Sequence, residues 1–130
     1  MTNIHFIINP IAGKGIRYLS MDLLKSIFNV EEFTIVIKYS KYKRHATELT
    51  QNSITEGAHI IVACGGDGTI NEVASCLINS SVKLGIVPMG SGNGLASNLN
   101  IPRKILNSLE IIRKQEVIKI DVGRVNQKYF

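Results

Sequence analysis

Long hydrophobic runs are missing. Nowhere in the 130 residues do apolar side chains continue for the roughly 18 positions that a membrane-spanning helix needs, so no such helix is expected. Met1 leads directly into Asn3-Ile4-His5-Phe6, with no basic cluster followed by an apolar core. A secretory signal is therefore not expected, and the address read from the sequence is cytoplasmic. Cysteine is scarce: Cys64 and Cys76 show neither CxxC spacing nor a histidine pattern beside them, and they read as small buried hydrophobes rather than a metal or redox centre. Repeats, low-complexity tracts and linker-like stretches are also absent. Acidic residues are outnumbered, ten against 15 Lys and Arg, for a net charge of +5 and a pI near 9.4. That balance suits an anionic partner, whether nucleotide, phosphate, acidic lipid surface or nucleic acid.

What is present is globular. Hydrophobic residues make up 45% and charged residues 19%, too apolar for a disordered chain. The length is that of one domain, or of one piece of a larger protein, and a chain this size buries roughly two-thirds of its unfolded surface. Strand-like and helix-like segments alternate. Residues 4–8, 33–39, 59–64 and 84–87 are short apolar or β-branched runs, and 117–125 closes the chain as a further strand. Residues 21–28, 45–56 and 69–77 have helical spacing, as do Ile105, Leu109 and Ile112, with Gly57 as a helix stop. This order predicts an α/β fold, a mostly parallel sheet with helices on both faces. Ligands of such sheets sit at the carboxyl ends of the strands.

Three glycine-bearing loops leave that edge. Glycine lets backbone N–H groups approach an anion, and two of these loops feed helix N-termini, which favour phosphate. Asn9-Pro10-Ile11-Ala12-Gly13-Lys14-Gly15 is not a Walker A motif, because Ile8 stands at its first glycine and Gly15 where Ser or Thr is needed. Gly90-Ser91-Gly92-Asn93-Gly94 fails the dinucleotide pattern at Leu95. The third stretch, Gly65-Gly66-Asp67-Gly68-Thr69-Ile70-Asn71-Glu72, sets a carboxylate among glycines. Beside a phosphate it would repel, unless Mg²⁺ lies between them or Asp67 handles a substrate proton. Helix capping is the structural alternative for Asp67, but Thr69 is equally suited to that.

Together these residues resemble the diacylglycerol kinase catalytic domain family, which includes bacterial lipid kinases and sphingosine kinases. The likeness runs nearly end to end: Asn9-Pro10 with Gly13-Lys14-Gly15, His45-Ala46-Thr47-Glu48-Leu49, Gly65 through Glu72, the block from Leu84 to Ala96, and Asp121-Val122-Gly123. Gly-Gly-Asp-Gly-Thr is shared with NAD kinases and, in near form, phosphofructokinases. Combined with Gly-Ser-Gly-Asn-Gly-Leu-Ala it points to the lipid kinases. The resemblance implies a Rossmann-like nucleotide-binding domain over residues 1–130, similar to the N-terminal domains of NAD kinases and phosphofructokinases. It implies ATP and Mg²⁺ as cofactors and a lipid hydroxyl, of a diacylglycerol or sphingoid base, as acceptor. Carried over residue by residue, Asn9, Pro10, Ile11, Ala12, Gly13 and Lys14 line the nucleotide. Ser40 stands where relatives usually have threonine, Gly66, Asp67, Gly68, Thr69, Asn71 and Glu72 hold phosphates and the metal-linked network, and Ser91 lies near the phosphates. Asp67 is the expected catalytic residue, through Mg²⁺ or as the base.

Two departures accompany the likeness. Many bacterial relatives have aspartate where this chain has Gly94, although sphingosine-kinase-like members also lack it. Relatives also continue into a second, mainly β domain that helps hold the lipid, expected here after residue 130. Little turnover is expected from residues 1–130 alone. A soluble acceptor, as in NAD kinases, and a non-catalytic nucleotide-binding or interaction domain remain alternatives. The positive charges fit an anionic membrane surface better than nucleic acid: Lys38, Lys41, Lys43 and Arg44 gather about a turn with Tyr39 and Tyr42, and Arg103, Lys104, Arg113 and Lys114 lie further on. The expected protein is peripheral to the membrane, and homo-oligomerisation is left open. His5, His45 and His59 are too scattered for a metal site: His5 and His59 read as strand residues, while His45 either adjoins a nucleotide contact, as the resemblance implies, or starts a helix.

Overall fold

β-branched and aromatic residues concentrate in short runs, and each such run among the described residues is a strand. The computed structural model describes residues 1–11, 19–89 and 103–115. These form β1 (Thr2–Ile8), α1 (Met21–Ile27), β2 (Phe33–Tyr39), α2 (His45–Thr55), β3 (Ile60–Gly65), α3 (Asp67–Cys76), β4 (Lys83–Pro88) and α4 (Arg103–Arg113). The strands lie in the order β2-β1-β3-β4, and all three pairings are parallel, with Ile4 opposite Ile35, Phe6 opposite Val62 and Val62 opposite Gly85. The expected strand over 117–125 lies outside the described residues.

Alternation along the central strands divides the core in two. Ile4, Phe6 and Ile8 of β1 and Ile60, Val62 and Cys64 of β3 point to one face, against Leu24 of α1, Phe28, and Ile105, Leu109 and Ile112 of α4. Phe28 meets Phe6 and Phe33 edge-on at 5.5 and 5.2 Å. Ile7, Ile61 and Ala63 point the other way, against Ala46 of α2 and Ile70, Val73, Ala74 and Leu77 around α3. A sheet covered on both sides explains why β1 and β3 read as unbroken apolar runs.

The chain punctuation is local chemistry. Ser20 caps α1, its Oγ accepting the Leu23 N–H at 3.1 Å. Gly57, at φ 89°, ends α2 in the left-handed conformation as expected. Two boundaries differ from expectation. β3 extends to Gly65, paired with Pro88, and His59 lies before the strand, exposed, its Nδ1 accepting the Asn3 N–H at 2.8 Å. α3 begins at Asp67 rather than Thr69, because extended Gly66 serves as N-cap and its carbonyl accepts the Ile70 N–H at 3.1 Å.

Candidate functional site

In the strand order β2-β1-β3-β4 the connections run outward in opposite directions from β1 and β3. The crevice between the carboxyl ends of those two strands is the switch point at which doubly wound sheets take ligands. Backbone hydrogen bonds tie the edge together: Asn9 N–H donates to the Cys64 carbonyl at 3.0 Å, Ser40 N–H to Ile8 at 2.9 Å and Met89 N–H to Gly65 at 2.9 Å.

Asn9, Ser40 and the Gly66–Thr69 segment therefore share one edge. Asn9 Oδ1 accepts the Ile11 N–H at 3.1 Å, closing a turn, while Pro10 and Ile11 stand exposed. Ser40 is buried just beyond β2. Ala12, Gly13, Lys14 and Ser91, as well as the Asp121-Val122-Gly123 segment, lie outside the described residues.

The glycines of the central loop differ in their reasons. A Cβ on Gly65 would fall 2.9 Å from both Cβ and Oγ1 of Thr69, so the first turn of α3 folds back over a residue that must lack one. A Cβ on Gly66 or Gly68 would meet nothing within 4 Å. Internal packing thus accounts for Gly65 and leaves the space above the other two open. No side chain caps α3, so its first N–H groups are available toward the carboxyl edge. Asp67 occupies the first helical position, where the helix dipole favours a carboxylate. It is exposed, and among the described residues its carboxylate accepts no hydrogen bond. Thr69, the other candidate cap, is buried three residues into the helix instead.

Asn71 and Glu72 lie one turn further on and face the side of the helix rather than its tip. With Ser75 they line a groove of about 420 Å³ against Arg44, Thr47, Glu48 and Gln51 of the α2 side, and Thr47 Oγ1 donates to Glu72 Oε1 at 3.5 Å. This α2–α3 groove escapes sequence reasoning, because it joins residues some 25 positions apart. His45 does start a helix: its Nδ1 accepts the Lys41 N–H at 2.9 Å and its ring stacks on Tyr42. Lys38 leaves the expected basic cluster, its Nζ lying 2.7 Å from Glu56 Oε1.

A buried polar cluster went unforeseen. His5 is buried in β1, with Nδ1 2.7 Å from Ser53 Oγ and 3.8 Å from Glu56 Oε1. Burial holds the His5 pKa below its usual value, the Lys38 charge acts the same way, and Glu56 opposes both. Hydrogen bonding to Lys38 keeps the Glu56 carboxyl below the usual range. Burial pushes the thiols of Cys64 and Cys76 up, with the Glu72 charge adding to the effect at Cys76, in keeping with unreactive cysteines.

The model of the diacylglycerol kinase catalytic domain matches residues 3–125. A diacylglycerol kinase of Staphylococcus aureus is 36% identical over 87 residues, covering 65% of this chain and 28% of the relative. An uncharacterized protein of Synechocystis is 30% identical over 132 residues, covering 94% of this chain and 30% of that protein. The chain thus spans about 30% of the length of these curated relatives. A crystal structure of a diacylglycerol kinase from Bacillus anthracis superposes with a TM-score of 0.58 at 24% identity, over 87% of this chain and 42% of that one, and a putative diacylglycerol kinase from the same organism does so at 0.57. These likenesses support the α/β fold described above. With its family model matched over nearly the whole length, the chain belongs to the diacylglycerol kinase catalytic domain family.

Proposed function

We propose that this chain is the nucleotide-binding part of a lipid kinase that transfers the γ-phosphoryl group of ATP to a lipid hydroxyl. The observation that carries the reading is the switch-point edge, where an exposed Asp67 heads a helix that no side chain caps, between two glycines whose Cβ positions face open space. Glycine early in a helix is destabilising by roughly 0.5–1 kcal/mol relative to alanine, and nothing inside the fold offsets that at Gly68. Room for a phosphate to reach the backbone N–H groups supplies the missing reason.

Mg²⁺ fits the donor set. Among the described residues no group of three or more His, Cys, Asp or Glu side chains gathers into a ligand cluster, and Asp67 offers one exposed carboxylate at the start of α3. Such a carboxylate suits a cation that is commonly held by one or two carboxylates together with nucleotide phosphates and water. When bound, the ion would neutralise charge between carboxylate and phosphates and on the transferring group. The chain's own residues then position. Backbone N–H groups of α3 would donate to phosphate oxygens, Asp67 would help hold the cation that offsets their charge, and Asn9 and Ser40 border the same edge. Asn71 and Glu72 belong to the reading through the groove wall behind Asp67 rather than through the helix tip. The lipid acceptor would be met at a membrane surface, with a second, mainly β domain beyond residue 130 completing its site.

The test is phosphoryl transfer by the full-length protein, with γ-labelled ATP and three acceptors: diacylglycerol in vesicles, a sphingoid base, and NAD. Label in a lipid, lost in Asp67→Asn, supports the reading. Label in NAD alone makes the acceptor soluble, and ATP binding without transfer to any acceptor makes the domain non-catalytic.

A further inference from the structure

An exposed tyrosine just beyond the carboxyl end of β2 is held in place more firmly than its exposure requires. Tyr42 is 61% exposed, yet its ring stacks on His45 with centroids 4.2 Å apart and planes 11° from parallel. Its hydroxyl donates to Glu48 Oε2 at 2.7 Å. His45 is fixed in turn by the Lys41 N–H at 2.9 Å. Arg44, which precedes His45 in the turn, adopts the left-handed conformation at φ 71°, which is disfavoured for any residue bearing a Cβ. The turn also starts α2, the His45 N–H donating to the Tyr42 carbonyl at 3.1 Å, and the first residue of the helix to enter the core is Ala46.

A ring covered on one side by an imidazole presents its other face to a second planar group. The neighbouring chemistry narrows what that group is. Lys41, Lys43 and Arg44 are exposed, and none of them joins an ion pair among the described residues. They suit a planar ring that carries an anion. The position narrows it further. α2 and α3 pack against each other on one face of the sheet, and both begin at its carboxyl edge. The groove running from Arg44 to Asn71 lies between them.

We propose that Tyr42, backed by His45, is the platform on which the base of the bound nucleotide stacks, its phosphates crossing beside Arg44 to the N-terminus of α3. This rests on the nucleotide-binding reading above and adds to it the residue that receives the base. Stacking tolerates any base but favours the larger purine face, so ATP and GTP should bind more tightly than CTP and UTP.

Calorimetric titration of the full chain with the magnesium complexes of ATP and of inorganic tripolyphosphate tests this, because only one of them carries a base. Tyr42→Ala should weaken ATP roughly 5- to 150-fold and leave tripolyphosphate unchanged. Tyr42→Phe, which keeps the ring without its hydroxyl, should remain close to the parent. The 130 residues contain no tryptophan, so Tyr42→Trp adds a reporter at this position whose emission ATP should quench and tripolyphosphate should not. Equal loss of both ligands in Tyr42→Ala, or loss of neither, overturns the platform. So does a variant that retains ATP affinity while losing binding to anionic vesicles, which would make Tyr42 a membrane contact. A parent protein that binds neither ligand overturns the nucleotide reading itself, and the platform with it.

Discussion

Replacing Gly65 and Gly68 by alanine, one at a time, should move stability in opposite directions while both replacements impair nucleotide binding. At Gly65 the new methyl would sit 2.9 Å from the Cβ and Oγ1 of Thr69, and Thr69 is itself buried in the first turn of α3. A short β-branched side chain so close to the backbone has little room to yield, so overpacking should cost about 1–3 kcal/mol. For a domain of this size that lowers Tm by roughly 3–12 °C. At Gly68 the methyl meets nothing within 4 Å, and the residue is already helical. Alanine there should stabilise by about 0.4–1 kcal/mol, by restricting the unfolded chain, and raise Tm by roughly 1–4 °C. The same methyl occupies the space through which a phosphate would reach the backbone. Loss of one hydrogen bond to a charged group corresponds to a Kd weakened by about tenfold or more. Scanning calorimetry gives the stabilities and titration with MgATP gives the affinities. A Gly68→Ala protein that is more stable and binds ATP as well as the parent would refute the assignment of that space to phosphate. One as unstable as Gly65→Ala would refute the steric reasoning.

Other consequences follow from the same geometry. Asp67 is exposed and accepts no hydrogen bond among the described residues, so Asp67→Asn should change thermal stability by less than about 0.5 kcal/mol while abolishing transfer by the full-length protein; a large fall in Tm would make the carboxylate structural. His5 is held neutral by burial, so the unfolded chain takes up its proton first as pH falls. Stability should be constant above about pH 6.5, decline as the pH drops below it and level off beneath the folded pKa. His5→Asn should flatten that slope in Tm measured between pH 7.5 and 5.5. Glu56 acts in a lower window, since its depressed pKa lends stability above the ordinary carboxylate value that is lost on further acidification. The buried Cys64 thiol should resist alkylation until the protein unfolds; rapid labelling of native protein at that residue would contradict its burial.

The parallel sheet was legible because β1 and β3 carry apolar residues on both faces, as strands of a sheet covered on both sides do. Gly57 signalled the end of α2 for an equally local reason, its positive φ. The Gly65–Thr69 segment was legible as a turn from strand to helix but not in its boundaries. Whether Gly66 or Thr69 caps α3 depends on where β3 releases the chain, and pairing to Pro88 decides that. What escaped were arrangements made by packing across the fold. The Thr47–Glu72 wall of the groove and the His5–Ser53–Glu56–Lys38 cluster each join separate elements. Lys38 looked like part of a basic turn, and only the packing of α2 over the sheet brings Glu56, at its C-terminal end, to it. Tyr42 and His45 were both noticed, but a stack across a left-handed Arg44 leaves no mark in residue spacing.

The central claim is that Asp67 and the open glycines beside it hold the magnesium complex of a nucleotide, and its most direct test is the affinity of the full chain for ATP with and without Mg²⁺, in the parent and in Asp67→Asn. The account predicts that Mg²⁺ tightens ATP binding in the parent and that this gain disappears in the variant, because the carboxylate that would share the ion is gone. A gain of the same size in both proteins would contradict it, and Asp67 would then have no part in holding the metal-bound nucleotide.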